Sequence, residues 1–283
     1  MTAQAVQKAR RGFTVRGTLA GTSLAVLLAL AAAAILAPWI APHDPGLMQP
    51  ALRLKLPSAE FWLGTDAFGR DILSRAMTGG RVSLSVGIAV ALVATTAGIA
   101  FGLLAGSGKV ADALTMRTMD GLMAIPGILL AIALLAMAGG SAATVVAAIS
   151  IVEIPRVTRL VRSLVLSVRS LAYVEAARLA GTGGAWVMLR HILPNIAAPL
   201  IIQATFVAAS AILIEAYLSF LGVGISPETP SWGNMIADGR RYVLVSINPI
   251  LAPAFFLASA VLAINILGDW ARDRLDPQLA RRM

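Results

Sequence analysis

Long apolar runs separated by polar segments dominate the hydrophobic pattern of this chain. Four of these runs contain no Asp, Glu, Lys or Arg: Leu19–Ala41, Val82–Gly106, Gly121–Ala138 and Asn248–Leu267. A fifth run, Ile196–Leu221, contains a single acidic residue, Glu215. A helix that crosses the hydrocarbon core of a bilayer needs about 20 mostly apolar residues. The pattern therefore predicts membrane-spanning helices rather than a water-soluble core.

A sixth crossing is predicted for a shorter run. Ala142–Val152 is apolar but ends at Glu153, and we extend this helix past the acid to about Val161. Composition agrees with a membrane protein, because only 13% of the residues are charged, against roughly a quarter in soluble domains. The sequence thus predicts an all-α, multi-pass membrane protein with six transmembrane helices.

The net charge of +9 indicates an orientation in the membrane. With six crossings, the basic N-terminal tail, the 153–194 stretch and the basic C-terminal tail fall on one side, which holds sixteen of the Lys and Arg residues against seven on the other. Lys and Arg near helix ends favour the cytoplasmic side, so both termini are predicted to be cytoplasmic. The arginines are not interleaved with aromatic residues, as a nucleic-acid surface would often require. The predicted partner of this charge is the lipid bilayer, with no nucleic acid.

Two regions follow from this topology. Residues 1–81 hold the cytoplasmic tail, the first transmembrane helix and an extracytoplasmic segment, and residues 82–283 hold a core with a cytoplasmic loop at about 162–194. In the extracytoplasmic segment, Gly64-Thr65-Asp66 and Gly69-Arg70-Asp71 are typical of turns. Their aspartates are suited to capping the element that follows.

Two further features concern helix packing. Gly98, Gly102 and Gly106 recur at a spacing of four in the second predicted helix, a pattern that lets membrane helices approach closely. Pro126 lies early in the third helix, where a proline is either tolerated or kinks the span. Three arginines near the fourth helix, Arg156, Arg159 and Arg162, are predicted to form a solvated row that faces lipid headgroups.

The Tyr173–Pro194 segment carries the most informative pattern. Glu175 lies near the start of a predicted helix, where the helix dipole favours a carboxylate. Ala176 and Ala177 give that helix a small-residue face, and Gly181 can adopt the left-handed conformation that ends it. A second short helix follows and is predicted to stop at the closing proline. The segment predicts a compact knob of two short helices on the cytoplasmic side.

This segment resembles the EAA signature of permease subunits in binding-protein-dependent ABC importers. The residues that match are Glu175, Ala176, Ala177, Gly181, Leu193 and Pro194. The isoleucine position of the pattern falls on His191, with Ile192 next to it. The resemblance implies that these residues couple the chain to an ATPase, whose groove would receive the knob and whose closure would move the membrane helices.

Three other stretches are similar to the second permease of dipeptide, oligopeptide and nickel systems, the type named DppC or OppC. They are residues 61–75, 215–233 and 265–277. The likeness runs from about residue 20 to the C-terminus and implies a type I ABC importer permease fold in a bacterial inner membrane. It also implies four kinds of interaction: a homologous permease as heterodimer partner, two ATPase subunits, an extracytoplasmic substrate-binding protein, and a peptide or a small solute such as nickel as cargo.

No set of residues predicts an enzyme or a catalytic site. Residues 106–109 resemble a phosphate loop, but Leu103 and Val110 replace the glycine and the Ser/Thr that the loop requires. The two histidines, His43 and His191, are far apart in the sequence and predict no metal site. We expect this chain to bind no cofactor, and ATP with Mg²⁺ to be bound by the partner ATPase subunits.

Glu215 and Trp232 are the candidate pathway or gate residues. An acid at membrane depth marks either a pathway or a buried polar contact that holds the bundle together, and both readings of Glu215 stay open. Trp232 is predicted to be an interface anchor, a loop plug or a substrate contact. An ion-coupled secondary transporter would bury paired acids in broken helices, whereas Glu215 is taken here as the only fully intramembrane acid. A membrane-embedded enzyme and a non-transporting scaffold are the remaining alternatives.

Overall fold

The structure is a computed structural model that describes the backbone of residues 3–275 and the side chains of residues 17–275. The basic side chains of the N-terminal tail, Lys8, Arg10, Arg11 and Arg16, lie outside the described part. So do the last eight residues, which include Arg281 and Arg282.

Ten α-helical segments make up most of the described chain. They are α1 (Ala3–Ile40), α2 (Ile72–Ser107), α3 (Lys109–Met123), α4 (Gly127–Ala138), α5 (Ala142–Arg169), α6 (Ala172–Leu179), α7 (Gly184–Trp186), α8 (Leu193–Phe220), α9 (Trp232–Gly239) and α10 (Asn248–Leu275). A π-helical stretch, Val187–Ile192, joins α7 to α8. Between residues 3 and 275, β pairing is limited to one isolated antiparallel bridge. The predicted all-α class is confirmed.

Four of these helices are long and apolar enough to cross a membrane: Gly17–Ile40, Ile72–Ser107, Gly184–Phe220 and Asn248–Leu275. The pair α3 and α4 would make a fifth if it counts as one bent span. Helix α5 has 28 residues but is not in this count, because an acid and several arginines interrupt its apolar sequence. By length and composition the described chain thus has four to five spans, against the six predicted.

The third predicted helix is broken. Helices α3 and α4 meet at an angle of 84°, and the break lies at Pro126, whose φ of −52° and ψ of 125° are extended. A proline cannot donate the backbone hydrogen bond that would continue a helix, and it disfavours helical geometry in the residue before it. Of the two predicted outcomes for Pro126, the kink is the one that the structure contains.

Helix α2 begins ten residues earlier than predicted. It starts at Ile72 rather than Val82, and the boundary drawn between residues 81 and 82 therefore falls inside a helix. The prediction followed the charge-free run, but the first turns of α2 hold Arg75 in a buried ionic cluster. Asp71 caps the helix as predicted, and its carboxylate accepts the Ser74 backbone N–H at 3.0 Å.

The two predicted turns before α2 are also present. Gly64 and Gly69 have φ values of 81° and 74°, in the left-handed region that glycine tolerates best. Asp66 accepts hydrogen bonds from the backbone N–H groups of Phe68 and Arg70 at 2.8 and 3.0 Å. The turns fold the segment between α1 and α2 back against the start of α2.

Pro194 does not end a helix, contrary to the prediction. It lies in the first turn of α8, and the helix runs without interruption from Gly184 to Phe220. The preceding π turn explains this, because the Leu193 N–H reaches back to the Met188 carbonyl. A π-helical turn is wider than an α-helical one, so it gives the proline ring the space that a regular helix would deny it.

Close packing between α2 and α5 is the largest helix contact in the bundle. Added Cβ atoms at Gly98, Gly102 and Gly106 would overlap the side chains of Val157, Val161 and Val165, respectively. All three valines are fully buried. The prediction of close helix packing at this glycine spacing is confirmed.

The same three glycine–valine contacts show that α2 and α5 are parallel, because the residue numbers of both partners rise from one contact to the next. Helix α8 runs the other way, since Gly87 of α2 contacts Ile212 and Ser83 contacts Glu215. Two parallel helices that end at the same side of the bundle require the intervening α3–α4 pair to return across it.

Replacing Gly102 by alanine should destabilise the chain. The new Cβ would overlap Val161 and crowd the Thr158 carbonyl oxygen, and overpacking of a closed interface costs about 1–3 kcal/mol. Thermal unfolding of the detergent-solubilised protein measures the effect. The control is Gly21→Ala on α1, where no atom lies within 4 Å of the added Cβ. Equal unfolding midpoints for the two variants would contradict this account of the interface.

Candidate functional site

The 172–194 segment forms a projection at the end of the bundle where α5 ends and α8 begins. Helix α6 starts at Ala172, two residues after Ser170, which caps the C-terminal end of α5. Glu175 lies in its first turn, as predicted. Val174 is fully buried and packs towards the π stretch, which fixes α6 to the base of α8.

Gly181 ends α6 in the predicted left-handed conformation. Its φ is 83°, its N–H donates to the Arg178 carbonyl at 3.0 Å, and the Thr182 N–H donates to the Ala177 carbonyl at 3.1 Å. This pair of hydrogen bonds defines a Schellman motif. No atom lies within 4 Å of an added Cβ at Gly181. A side chain here would therefore be disfavoured by backbone conformation and not by crowding.

Large apolar side chains are exposed on this projection. Leu179 is 90% exposed, Trp186 61% and Leu189 58%. Ala176 is exposed beside them and Ala177 is half-buried. Because exposed apolar patches of this kind are typical of protein interaction sites, the surface is suited to docking against another chain.

The two remaining residues of the matched pattern lie at the base of the projection. Leu193 is half-buried and Pro194 is exposed, and both belong to the first turn of α8. The pattern is therefore divided between two elements: Glu175, Ala176 and Ala177 on α6, and Leu193 and Pro194 on α8. The structure brings them together through the turn at Gly181 and the π stretch.

Glu215 is sealed inside the opposite end of the bundle. Its side chain is fully buried and accepts hydrogen bonds from the hydroxyls of Ser83 at 3.1 Å and Ser219 at 2.8 Å. Ser210, which lies near it in the sequence, is not among its partners. The carboxylate thus links α2 to α8, which favours the structural reading of this acid.

Trp232 is buried inside the bundle, which favours the plug among its predicted roles. It is 1% exposed, lies over Gly80 and contacts Ala34 of α1 within the same cluster. Its Nε1–H donates to the Ala76 carbonyl at 2.9 Å, and its backbone N–H donates to Ser83 Oγ at 3.2 Å. Ser83 joins Trp232 to Glu215. The sequence did not predict this contact, because the three residues lie on different elements.

The three α5 arginines that are predicted to form a solvated row, Arg156, Arg159 and Arg162, each pair with an acid. Arg162 makes a two-pronged ion pair with Asp112 of α3, and Arg159 pairs with Asp120 at 2.5 Å. Their partners lie in α3 because that helix packs antiparallel to the part of α5 that carries these arginines. The sequence signal was available, since α3 carries only these two acids, but no spacing rule connects them to residues 39 and 50 positions away.

Glu153 is a second fully buried acid of the bundle beside Glu215. The register of α2 against α5 places Glu153 at the level of Ala94, which is the midpoint of the charge-free Val82–Gly106 run. Its side chain is 1% exposed and pairs with Arg156, whose Nη1 reaches both carboxylate oxygens at 2.8 and 2.9 Å.

A further ionic cluster joins the segment before α2 to α9. Arg70 donates from Nε to Asp66 at 2.6 Å and lies 3.4 Å from Asp238 through Nη2. Arg75 lies 3.6 Å from Asp66. Two of the seven basic residues assigned to the outer side, Arg70 and Arg75, are thus buried and paired.

The sequence comparisons identify the family. Residues 98–281 match the model described as the inner membrane component of binding-protein-dependent transport systems. Residues 11–57 match the N-terminal transmembrane domain of oligopeptide transport permease C. The chain belongs to the family of binding-protein-dependent transport permeases, the inner-membrane components of ABC importers. It is therefore a multi-pass transport subunit with the permease fold of that family, and membership implies ATPase and binding-protein partners.

Several relatives are similar over most of their length. A probable peptide ABC transporter permease of Sinorhizobium fredii is 49% identical over 239 residues, 84% of this chain and 82% of the relative. A putative peptide transport system permease of Brucella suis is 44% identical over 256 residues, 90% and 86% of the two chains. The di/tripeptide transport system permease DppC of Pseudomonas aeruginosa is 43% identical over 271 residues, 93% and 89% of the two.

Reversing the charge of Asp112 should weaken the contact between α3 and α5. In Asp112→Arg two cations would face each other, and we expect a loss of about 1 kcal/mol, because the pair is partly exposed to solvent. The exchange Asp112→Arg with Arg162→Asp should restore most of the unfolding midpoint. Arg117→Asp on α3 is the matched control, since Arg117 has no ion-pair partner within residues 17–275. A double variant no more stable than the single one would argue against the pair.

Substitutions of Glu215 decide between its two readings. Glu215→Gln should keep solubilised stability and uptake near the parent level, because the amide oxygen still accepts a serine hydroxyl. Glu215→Leu should lose about 1–3 kcal/mol, since it leaves two buried hydroxyls without an acceptor. Thermal unfolding and solute uptake are measured together. Loss of uptake in Glu215→Gln at an unchanged unfolding midpoint would instead assign the carboxylate to the pathway.

Proposed function

We propose that this chain forms half of the translocation pathway of an ATP-driven peptide importer and that the 172–194 segment couples it to a separate ATPase. The observation that carries the proposal is the segment itself. It exposes Leu179 on α6, Trp186 on α7 and Leu189 on the π stretch, and these elements connect α5 to α8. These exposed side chains do not contribute to packing within the bundle, so they are available to contact another chain.

Rigid attachment gives the coupling its energetic logic. ATP binding can bias a transport state only if the contacts of the docked segment differ between states. Helix α6 follows α5 after Ser170 and Leu171, and the π stretch continues into α8. A displacement of the segment would therefore be passed directly to two membrane helices. Glu175, Ala176, Ala177 and Gly181 would form its docking end, and Leu193 and Pro194 its base.

Six crossings with both termini in the cytoplasm fit this role. The parallel packing of α2 and α5 supports one return across the membrane by α3 and α4, which at 15 and 12 residues are about 22 and 18 Å long. Neither alone spans a hydrocarbon core of about 30 Å. The 172–194 segment then lies on the side that carries most of the Lys and Arg, which is the cytoplasmic side.

The proposed cargo is a short peptide, with a small solute such as nickel as the alternative within the resembled group. The support is that two relatives are named as probable or putative peptide permeases and a third as a di/tripeptide permease. The proposed assembly holds this chain, one homologous permease, two ATPase subunits and an extracytoplasmic binding protein. ATP and Mg²⁺ would bind to the ATPase subunits, and this chain would bind no cofactor and hydrolyse nothing.

Purification of a tagged copy from its native membrane in mild detergent tests the assembly. We expect mass spectrometry to identify a second permease and one or two ATPases among the co-purifying chains. Recovery of this chain alone, under conditions that preserve other membrane complexes, would reject the proposal. Uptake of labelled dipeptides and of nickel by the same cells then separates the two cargo classes.

Gly181→Leu should uncouple ATP hydrolysis from uptake. A leucine at a φ of 83° costs roughly 1–2 kcal/mol, so the turn should rearrange and displace α6. We expect uptake to fall at least tenfold while the chain still inserts and the ATPases still hydrolyse ATP. Gly183→Leu is the matched control, because Gly183 has a φ of −59° and equally open surroundings. Normal uptake by Gly181→Leu would refute the coupling role.

A further inference from the structure

Arg156 presents a charge at a depth where lipid would not accept it. Its side chain is 60% exposed, and it lies one turn beyond Glu153, which is level with the midpoint of the apolar run of α2. A guanidinium at the centre of a bilayer is costly and faces the bundle interior or a water-filled cavity in known membrane proteins. The buried Glu153 carboxylate holds the guanidinium through Nη1 alone. Within the described residues, Nε and Nη2 have no protein acceptor.

The break between α3 and α4 points to the same face. Gly127 of α4 contacts Val152 and Asp120 of α3 pairs with Arg159, so the break lies at the level of Arg156. Residues 123–126 at the break are all exposed. Non-helical backbone at membrane depth is tolerated only where protein buries it or where it lines a water-filled cavity.

A third observation is the Arg159–Asp120 pair, whose side chains are 47% and 55% exposed. Two exposed guanidiniums, one exposed carboxylate and an exposed helix break thus share one side of the bundle near the middle of the membrane. Lipid is a poor neighbour for all of them. The opposite side of α5 is the valine row that packs on α2, so the two sides of this helix have different environments.

We propose that this face, made by Arg156, Arg159, Asp120 and the 123–126 break, lines the water-filled translocation pathway, and that the Arg156 guanidinium binds the carboxylate of the passing solute. Asp120 lies exposed beside Arg159, whereas Glu153, the partner of Arg156, is buried behind it, so Arg156 presents its Nε and Nη2 groups with no exposed carboxylate beside them. A guanidinium with free N–H groups forms short, charge-assisted hydrogen bonds to carboxylates. The choice of a carboxylate rests on the proposed peptide cargo, whereas the placement of the face does not.

Thiol labelling tests both parts, because the chain contains no cysteine. Ile125→Cys puts a thiol on the break, where the native side chain is 47% exposed, without removing any ion pair. The complete importer in lipid nanodiscs is treated with an anionic sulfonatoethyl or a cationic trimethylammonium-ethyl methanethiosulfonate, with and without ATP and vanadate. Each rate is divided by the rate of that reagent with a free thiol in solution. We expect Ile125→Cys to react with both reagents, and about threefold faster with the anionic one.

Two controls complete the design. Leu28→Cys on α1 is the control for a lipid-facing thiol. The native Leu28 side chain is 60% exposed and lies near the middle of the apolar run of α1. The thiol should stay unlabelled because lipid surrounds it. In Ile125→Cys with Glu153→Gln and Arg156→Gln, the preference for the anionic reagent should disappear. The paired substitution avoids leaving one charge buried alone.

Either of two results would overturn the proposal. If Ile125→Cys is as unreactive as Leu28→Cys in every nucleotide state, the face is covered by lipid or protein. If the thiol reacts but the preference for the anionic reagent is absent or survives the double substitution, Arg156 is not the anion-binding group. Co-purification of the ATPases is scored on the same samples, so failure of this inference is separable from failure of the proposed function.

Discussion

The close approach of α2 and α5 is the contact on which the rest of the bundle depends. Three glycines of α2 pack against three valines of α5 at the same four-residue spacing. A residue larger than glycine at any of these α2 positions would overlap the facing valine. This packing fixes the register of the two helices and makes them parallel. The parallel arrangement in turn requires α3 and α4 to return across the bundle between them, even though a proline breaks that return by 84°.

The second constraint is that charged side chains inside an apolar environment need ion-pair or hydrogen-bond partners. Glu215 is linked to two serines, Glu153 to Arg156, and the arginines further along α5 to the acids of α3. Each contact joins different helical turns or different helices, so the polar groups that membrane burial makes expensive also hold elements together. The contact between α5 and α3 joins the helix that leads into the 172–194 segment to the helix that leads into the break.

Sequence patterns located the apolar spans, the turn glycines before α2, the cap at Asp71 and the helix end at Gly181, because each depends on a few neighbouring residues. They failed where the outcome depends on partners far along the chain. The pairing of Arg159 and Arg162 depends on acids of α3 that lie 39 and 50 positions away, and Arg75 looks like a loop residue until Asp66 and Asp238 enclose it. The error at Pro194 has a similar origin, since a π turn that no propensity predicts makes room for the ring.

By itself, the sequence determined that this is a membrane protein, the class of its fold and the family resemblance of its 172–194 segment. Apolar run length, basic-residue bias and turn glycines are local quantities that can be read without coordinates. Only the tertiary structure decided which charges are paired, which acid lies level with the middle of the apolar run of α2 and which face of α5 is left exposed. Those features follow from the register of one helix against another, and register is fixed by packing between residues that are tens of positions apart.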